Sequence, residues 1–264
     1  MKLGKAAKQR LWFYGTLSAL LGGFYFYQPV RIDFLAKPVP VPNPPVDPDS
    51  KHLYAKNSEV VVVTAHPDDA EYYLAAFLLK LAKAGAHVHL VVCTDGDKSY
   101  YFWQDTTQVR RTRRAEQIEA ARHYNADVSF LAFPDGRLHP NDDVVEAVHQ
   151  KIVQLQPRWL VSFDGAYPPK VSHGDHRSAG QAAFEAAKGT TVRWSMLFAS
   201  HAPNYTADVS DTEDDQRSLL AIHKSQFAGD KLDAVSDTCL DASMQDGQRI
   251  QATYGISFRC VPMN

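Results

Sequence analysis

The sequence predicts an α/β domain of Rossmann-like type, with a mostly parallel sheet and helices on both faces. Short apolar runs rich in β-branched residues alternate with longer amphipathic segments between residues 59 and 199. A continuous apolar run, such as residues 60–63, indicates a strand that is buried on both sides. Strands that alternate with helices in this way pair in parallel, and the helices cover the two faces of the sheet.

The predicted elements follow one another closely. The predicted strands span residues 60–63, 88–93, 128–133, 159–163 and 194–199. The predicted helices span residues 70–84, 107–124, 142–155 and 178–188. Gly85 can end the first helix, and Pro157 follows the third. In such sheets the chemistry lies in the loops after the carboxyl ends of the strands. Functional side chains are therefore expected in the segments after residues 64, 93, 133 and 163.

The first 50 residues differ from the rest of the chain. Residues 1–10 carry four basic side chains and no acid, and residues 11–27 are uncharged with aromatic residues at both ends. At ~1.5 Å per residue this stretch reaches ~26 Å, which predicts one transmembrane helix with a cytoplasmic N-terminus and a periplasmic or otherwise extracytoplasmic catalytic domain. A cleaved signal peptide is the alternative. Residues 28–50 hold seven of the 15 prolines and predict an extended linker, so that the catalytic domain covers residues 51–264.

Composition excludes some classes of function. The chain has 264 residues, of which 45% are hydrophobic, so a packed core is feasible. Its net charge of −2 does not suit a nucleic-acid partner, which requires a basic face. The three cysteines form no CxxC pair, which disfavours a cysteine-based zinc site. Cys239 and Cys260 flank the C-terminal segment, and an oxidising compartment would allow a disulfide between them.

Ionisable side chains crowd all four loops at the predicted functional edge. The loops read AHPDDAE from residue 65, TDGD from residue 94, PDGR from residue 134 and HGDH from residue 173. A nucleotide-binding Rossmann domain would have GxGxxG after its first strand, whereas histidine beside aspartate suits a metal with an open water position. Acids at a helix N-terminus and a polar surface loop are the structural alternatives for HPDD and HGDH. Their occurrence at strand ends of one sheet favours the metal site.

These motifs, in this order, resemble the PIG-L/LmbE family. The resemblance covers about residues 58–227 and includes Arg113-Arg114-Ala115-Glu116 and His223-Lys224-Ser225-Gln226. It implies a zinc-dependent N-acetylglucosaminyl deacetylase with one divalent ion per chain. The metal ligands that it implies are His66, Asp69 and His176. It also implies Asp68 as the general base, His173 as the proton donor and Asp175 as the support of His173. The implied sugar contacts are Arg113 and Asp135. Val171 stands where some members have a tyrosine that helps to stabilise the oxyanion.

The predicted reaction is hydrolysis of the acetamide of an N-acetylated amino sugar, in a glycoside, glycolipid or glycan, with release of acetate and a free amine. An amide is a poor electrophile, and a bound metal can polarise its carbonyl and lower the pKa of water to about 7. A general base and a general acid then move the protons. The alternatives are a metal-dependent hydrolase of another amide or ester, and an inactive glycan-binding module. The predicted partners are the sugar substrate and, through the N-terminal helix, a membrane, but no nucleic acid.

Overall fold

The computed structural model describes residues 45–98 and 105–263. The predicted cytoplasmic segment, the predicted transmembrane helix over residues 11–27 and most of the predicted linker lie outside the described residues. The described end of the linker lies against the domain, because the Trp159 indole donates to the Pro48 carbonyl over 2.8 Å and Val46 N donates to the Asn204 carbonyl over 3.0 Å.

Strands and helices alternate through the first two thirds of the described chain. The strands are β1 (Glu59–Thr64), β2 (His87–Thr94), β3 (Ala126–Phe133), β4 (Trp159–Phe163), β5 (Trp194–Phe198), β6 (Tyr205–Asp208) and β7 (Gly255–Pro262). The helices are α1 (Ser50–Leu53), α2 (Asp69–Ala84), α3 (Thr106–His123), α4 (Asp142–Leu155), α5 (Gly174–Ala186), α6 (Gln216–Leu220) and α7 (Asp230–Gly247). Short 3₁₀ helices cover Glu213–Asp215 and Gln248–Ile250.

The strands form one sheet in the order β3-β2-β1-β4-β5-β7-β6. The first five strands of this order are parallel, and β7 runs antiparallel to both β5 and β6. This confirms the predicted α/β fold with a mostly parallel sheet. The chain order reverses between β1 and β4, and open α/β sheets bind their ligands at the carboxyl ends of the strands at such a point.

The centre of the sheet is covered on both faces. Every residue of β1 after Glu59 and every residue of β2 after His87 is buried, as the unbroken apolar runs of the sequence predict. Each fully buried Val or Leu contributes about 1.5–3 kcal/mol relative to an exposed one. Helix α5 lies directly on β4, since a Cβ at Gly180 would come within 2.2 Å of the Phe163 carbonyl oxygen. The glycine therefore permits a close approach of two backbones beneath the functional edge.

Several predicted details need correction. Helix α5 begins at Gly174 rather than at residue 178, because the His173 side chain caps its first turn by accepting from Asp175 N. The sequence reading missed β6, α6 and α7, whose segments are polar or short. The disulfide between Cys239 and Cys260 is absent, and both thiols are free and buried. Cys239 lies in α7, where its thiol donates to the Tyr72 carbonyl, whereas Cys260 lies in β7.

The predicted membrane location is contradicted. None of the helices in residues 45–98 and 105–263 combines the length and the apolar character that crossing a bilayer requires. The two longest, α3 and α7, each carry several charged side chains, and such residues are costly in the hydrocarbon core. The single-pass topology and the extracytoplasmic catalytic domain are therefore withdrawn.

Candidate active site

The turn after β1 is organised around the carboxylate of Asp69. Its Oδ2 accepts hydrogen bonds from Ala65 N at 3.0 Å and from His66 N at 2.8 Å, while its Oδ1 faces His176 Nε2 at 3.1 Å. Asp68 precedes it with a φ of 108°, a conformation that non-glycine residues rarely adopt. Such backbone strain is typical of functional sites. The HPDD sequence thus folds into a tight turn rather than serving only as a helix cap.

Three histidines and Asp69 converge at this edge of the sheet. His66, His173 and His176 each place a ring nitrogen within 4.8 Å of the others. His66 Nδ1 also lies 3.5 Å from Asp69 Oδ2. Imidazole and carboxylate donors in this number suit a divalent ion such as zinc. The residues present therefore fit a metal, and the predicted set of His66, Asp69 and His176 is among those that the geometry allows.

The second nitrogen of His66 is held by two buried acids. His66 Nε2 lies 3.2 Å from Asp135 Oδ1 and 3.3 Å from Asp175 Oδ2. A metal-binding histidine usually donates its other N–H to a carboxylate, which fixes the ring. The arrangement thus leaves His66 Nδ1 facing Asp69. Asp175 also accepts from Gly136 N at 2.7 Å, so this carboxylate ties the HGDH segment to the loop after β3.

Aromatic side chains that the sequence reading did not single out fix His176. The Phe163 ring stacks on the imidazole with a centroid distance of 4.1 Å and an interplanar angle of 9°. Tyr73 meets the same ring edge to face at 5.9 Å. Phe163 is the last residue of β4, so a search of strand ends could have included it. Tyr73 lies one turn into α2 and carries no such signal.

Arg113 is buried and engaged by the protein, which differs from its implied role as a sugar contact. It is 3% exposed, its Nη2 lies 3.0 Å from Asp68 Oδ2, and its Nη1 donates to the Gly96 carbonyl over 2.8 Å. It also donates to the Pro67 carbonyl. A Cβ at Gly96 would lie 2.2 Å from Nη1, so only glycine leaves room for this guanidinium. The geometry favours a role for Arg113 in positioning the HPDD turn.

A buried polar network supports the same turn from beneath. Gln117 accepts from Asp68 N at 2.9 Å and donates to Glu71 Oε1 at 2.9 Å. Tyr124 donates to the same Glu71 oxygen, and His223 Nε2 lies 2.9 Å from the other. The last acid of AHPDDAE and the histidine of the HKSQ segment are therefore paired inside the fold, 152 positions apart.

The pKa values of the two candidate proton-transfer groups, Asp68 and His173, are shifted in opposite directions. Burial raises the pKa of Asp68 above its usual range, and the Arg113 guanidinium opposes that rise. The pKa of His173 is lowered to about 4, first by burial and then by the neighbouring His66 and His176. The carboxylates of Asp175 and Asp69 act in the opposite direction but are outweighed. The Asp175 N–H donates to His173 Nδ1 at 3.2 Å, so the neutral imidazole carries its proton on Nε2.

Two known proteins that the chain is similar to are deacetylases. The chain is 22% identical over 223 residues to the diacetylchitobiose deacetylase of Thermococcus kodakarensis, which covers 77% of this chain and 83% of that protein. It is 23% identical over 217 residues to a 1D-myo-inositol 2-acetamido-2-deoxy-alpha-D-glucopyranoside deacetylase of Corynebacterium glutamicum, with 72% and 69% covered.

A solved structure and a family profile extend the match. The N,N'-diacetylchitobiose deacetylase from Pyrococcus horikoshii, complexed with its inhibitor MPG, superimposes with a TM-score of 0.73 and 25% identity over 78% of this chain and 84% of that chain. The sequence profile described as "PIG-L: GlcNAc-PI de-N-acetylase" matches residues 61–187, which contain the HPDD turn, Arg113, Asp135 and the HGDH segment. Over these residues, the chain is similar to the PIG-L family.

Proposed function

We propose that the protein is a zinc-dependent hydrolase that removes the acetyl group from an N-acetylated amino sugar. The observation that carries this proposal is the convergence of His66, Asp69 and His176, with Asp68 at the neighbouring position of the same turn. The relatives named as deacetylases of N-acetylated sugars support the same chemistry. A divalent ion held by these three residues would polarise the acetyl carbonyl and acidify a water.

The roles of the other residues follow from their positions. Asp68, with its pKa raised by burial, accepts the proton of the attacking water. His173 carries a proton on Nε2, and this N–H donates a hydrogen bond to the carbonyl oxygen as that oxygen gains charge. The proton that Asp68 has taken from the water then goes to the departing amine. The hydrogen bond from His173 replaces the hydroxyl that Val171 cannot supply, because Val171 is apolar and 71% exposed. Asp175 and Asp135 hold His66 in orientation, and Asp135 also accepts from Lys98 N at 2.8 Å.

The proposal is tested by product analysis with the full-length chain. Purified protein with zinc is incubated with N,N'-diacetylchitobiose, N-acetylglucosamine, an N-acetylated amino acid and an acetyl ester, and released acetate and free amine are measured. We expect equal amounts of acetate and amine from the sugars. Release from the ester or the amino acid alone would instead identify a hydrolase of a different bond. Binding of the sugars without release would identify a glycan-binding module.

An inactive variant provides the control. Asp68→Asn protein, prepared in the same way, should release acetate at less than about one hundredth of the wild-type rate, because general base catalysis contributes about 10²–10⁴-fold. Equal activity in both preparations would point to a contaminating enzyme. The lipid or polymer attached to the natural sugar is then approached by extending the panel with longer glycans and glycolipids.

A further inference from the structure

A second group of ligating side chains lies at the opposite end of the same sheet. Glu59 begins β1, His87 and His89 lie two positions apart at the start of β2, and Asp127 follows at the start of β3. In the strand register Glu59 pairs with His87, and His89 pairs with Asp127. Paired residues of parallel strands, and residues two apart on one strand, project from the same face. All four side chains therefore share one face of the sheet.

The distances among three of them match the spacing of ligands around one ion. Glu59 Oε2 lies 3.3 Å from His87 Nδ1 and 2.7 Å from His89 Nε2, and the two imidazole rings are 4.3 Å apart. One ligand atom from each of the three lies within 4.8 Å of the others. Donors bound at ~2.1 Å to a tetrahedral zinc lie about 3.4 Å from one another. The cluster therefore needs only side-chain adjustment, with no movement of the strands.

Asp127 lies where a support for the two imidazoles would be required. Its Oδ2 is 3.1 Å from His87 Nε2 and 3.9 Å from His89 Nδ1, on the side of each ring away from Glu59. Metal-binding histidines usually donate their free N–H to such a carboxylate. His89 is only 8% exposed, and its Nδ1 is buried without a hydrogen-bond partner. The other nitrogen of this ring, Nε2, is hydrogen-bonded to Glu59, so Nδ1 is the buried atom left unpaired, at a cost of about 1–3 kcal/mol.

We propose that Glu59, His87 and His89 bind one divalent transition-metal ion of the class of Zn²⁺, and that Asp127 orients the two imidazoles. Two nitrogen donors and a carboxylate suit zinc, nickel and copper rather than magnesium or calcium. The site is open to solvent, because the Glu59 and His87 side chains are 40% and 36% exposed, so a water can complete the coordination.

This site is structural rather than catalytic. Seven positions of β1 and its following turn separate Glu59 from His66, which amounts to about 20 Å at the rise of a strand. The ion joins β1 to β2 directly and β3 through Asp127. Because the unfolded chain does not hold these residues together, binding stabilises the folded state in proportion to the logarithm of the free-ion concentration.

The test counts Zn²⁺ ions per full-length chain by equilibrium dialysis and elemental analysis. We expect about two in the wild type, one at each end of the sheet, and about one in His87→Ala and in Glu59→Gln. Two variants are used so that misfolding of one does not decide the test. Both His87→Ala and Glu59→Gln should deacetylate diacetylchitobiose at the wild-type rate. Zinc should also raise the melting temperature of the wild type more than that of His87→Ala.

Two further variants complete the test. His123→Ala removes an exposed histidine outside the cluster and should keep both ions. Asp127→Asn should weaken the second ion by about 10–100-fold, as loss of a supporting carboxylate does. Equal zinc content in the wild type, His87→Ala and Glu59→Gln would overturn the site. Unchanged affinity in Asp127→Asn would overturn the role of Asp127.

Discussion

Asp68 and Arg113 form a buried ion pair at the base of the HPDD turn, with 3.0 Å between Oδ2 and Nη2. Replacing Arg113 by Met leaves this carboxylate and two carbonyls without their donor, and we expect the free energy of unfolding to fall by about 3–5 kcal/mol. Denaturation by urea measures it. Arg111→Met, at an exposed position of the same helix, should change stability by less than about 0.5 kcal/mol.

Kinetics of Arg113→Lys separate the two roles considered for this residue. Lysine keeps the charge but cannot make the forked contacts to Gly96 and Pro67. If Arg113 positions Asp68, kcat should fall by at least about tenfold with KM nearly unchanged. A rise in KM with kcat unchanged would show instead that the guanidinium binds the sugar.

The metal ligands can be distinguished from the nearby third histidine. In the His87→Ala background, Asp69→Asn and His176→Ala should each lose the remaining zinc, whereas His173→Ala should keep it while losing about 10²–10⁴-fold in turnover. Elemental analysis and acetate release are measured on the same samples. If His173→Ala lost the zinc and Asp69→Asn retained it, the ion would be held by the three histidines.

Glu213 should make stability depend on pH. Burial raises the pKa of this carboxyl to about 7, although Ser243 donates to it at 3.0 Å. In the unfolded chain the carboxyl ionises near its ordinary value, so the folded state loses stability as the pH rises from about 4.5 to about 7 and no more above that. Glu213→Gln removes this loss, and its melting temperature should rise relative to the wild type between pH 5 and pH 8. Asp215→Asn, two positions away and exposed, should show a constant difference.

Gly180→Ala should lower both the stability of the fold and the affinity of the site for zinc. The added methyl group meets the Phe163 carbonyl at 2.2 Å, and Phe163 stacks on His176. Relief of the clash moves α5 away from β4, which should cost about 1–3 kcal/mol of stability and weaken zinc binding. Thermal melts and zinc titrations measure the two effects. Glu185→Ala, at an exposed position of α5, is the matched control and should leave zinc affinity unchanged.

The sequence predicted the parallel part of the fold because its signals are local. The apolar run of β1 and the amphipathic pattern of α2 are each visible within a short stretch of sequence. HPDD and HGDH were located because functional loops follow the carboxyl ends of parallel strands. The buried position of Arg113 could not be predicted, because it depends on Gly96 and Pro67, which are distant in the chain. For the same reason, His87 and His89 were not recognised as a cluster, since only the register brings Glu59 and Asp127 beside them.

The two oxygens of Asp69 have different neighbours, and this sets the denticity of the carboxylate. Oδ2 accepts from the Ala65 and His66 amides, whereas Oδ1 faces His176 Nε2 and no backbone amide, so Oδ1 would be the oxygen offered to a cation. A monodentate carboxylate and two imidazoles supply three donors, so a tetrahedral ion keeps one vacancy for water. A glutamate at position 69, released from those amides, could chelate through both oxygens and close that vacancy. If Asp69 binds the metal, the backbone of the turn would thus limit how many donors this side chain supplies.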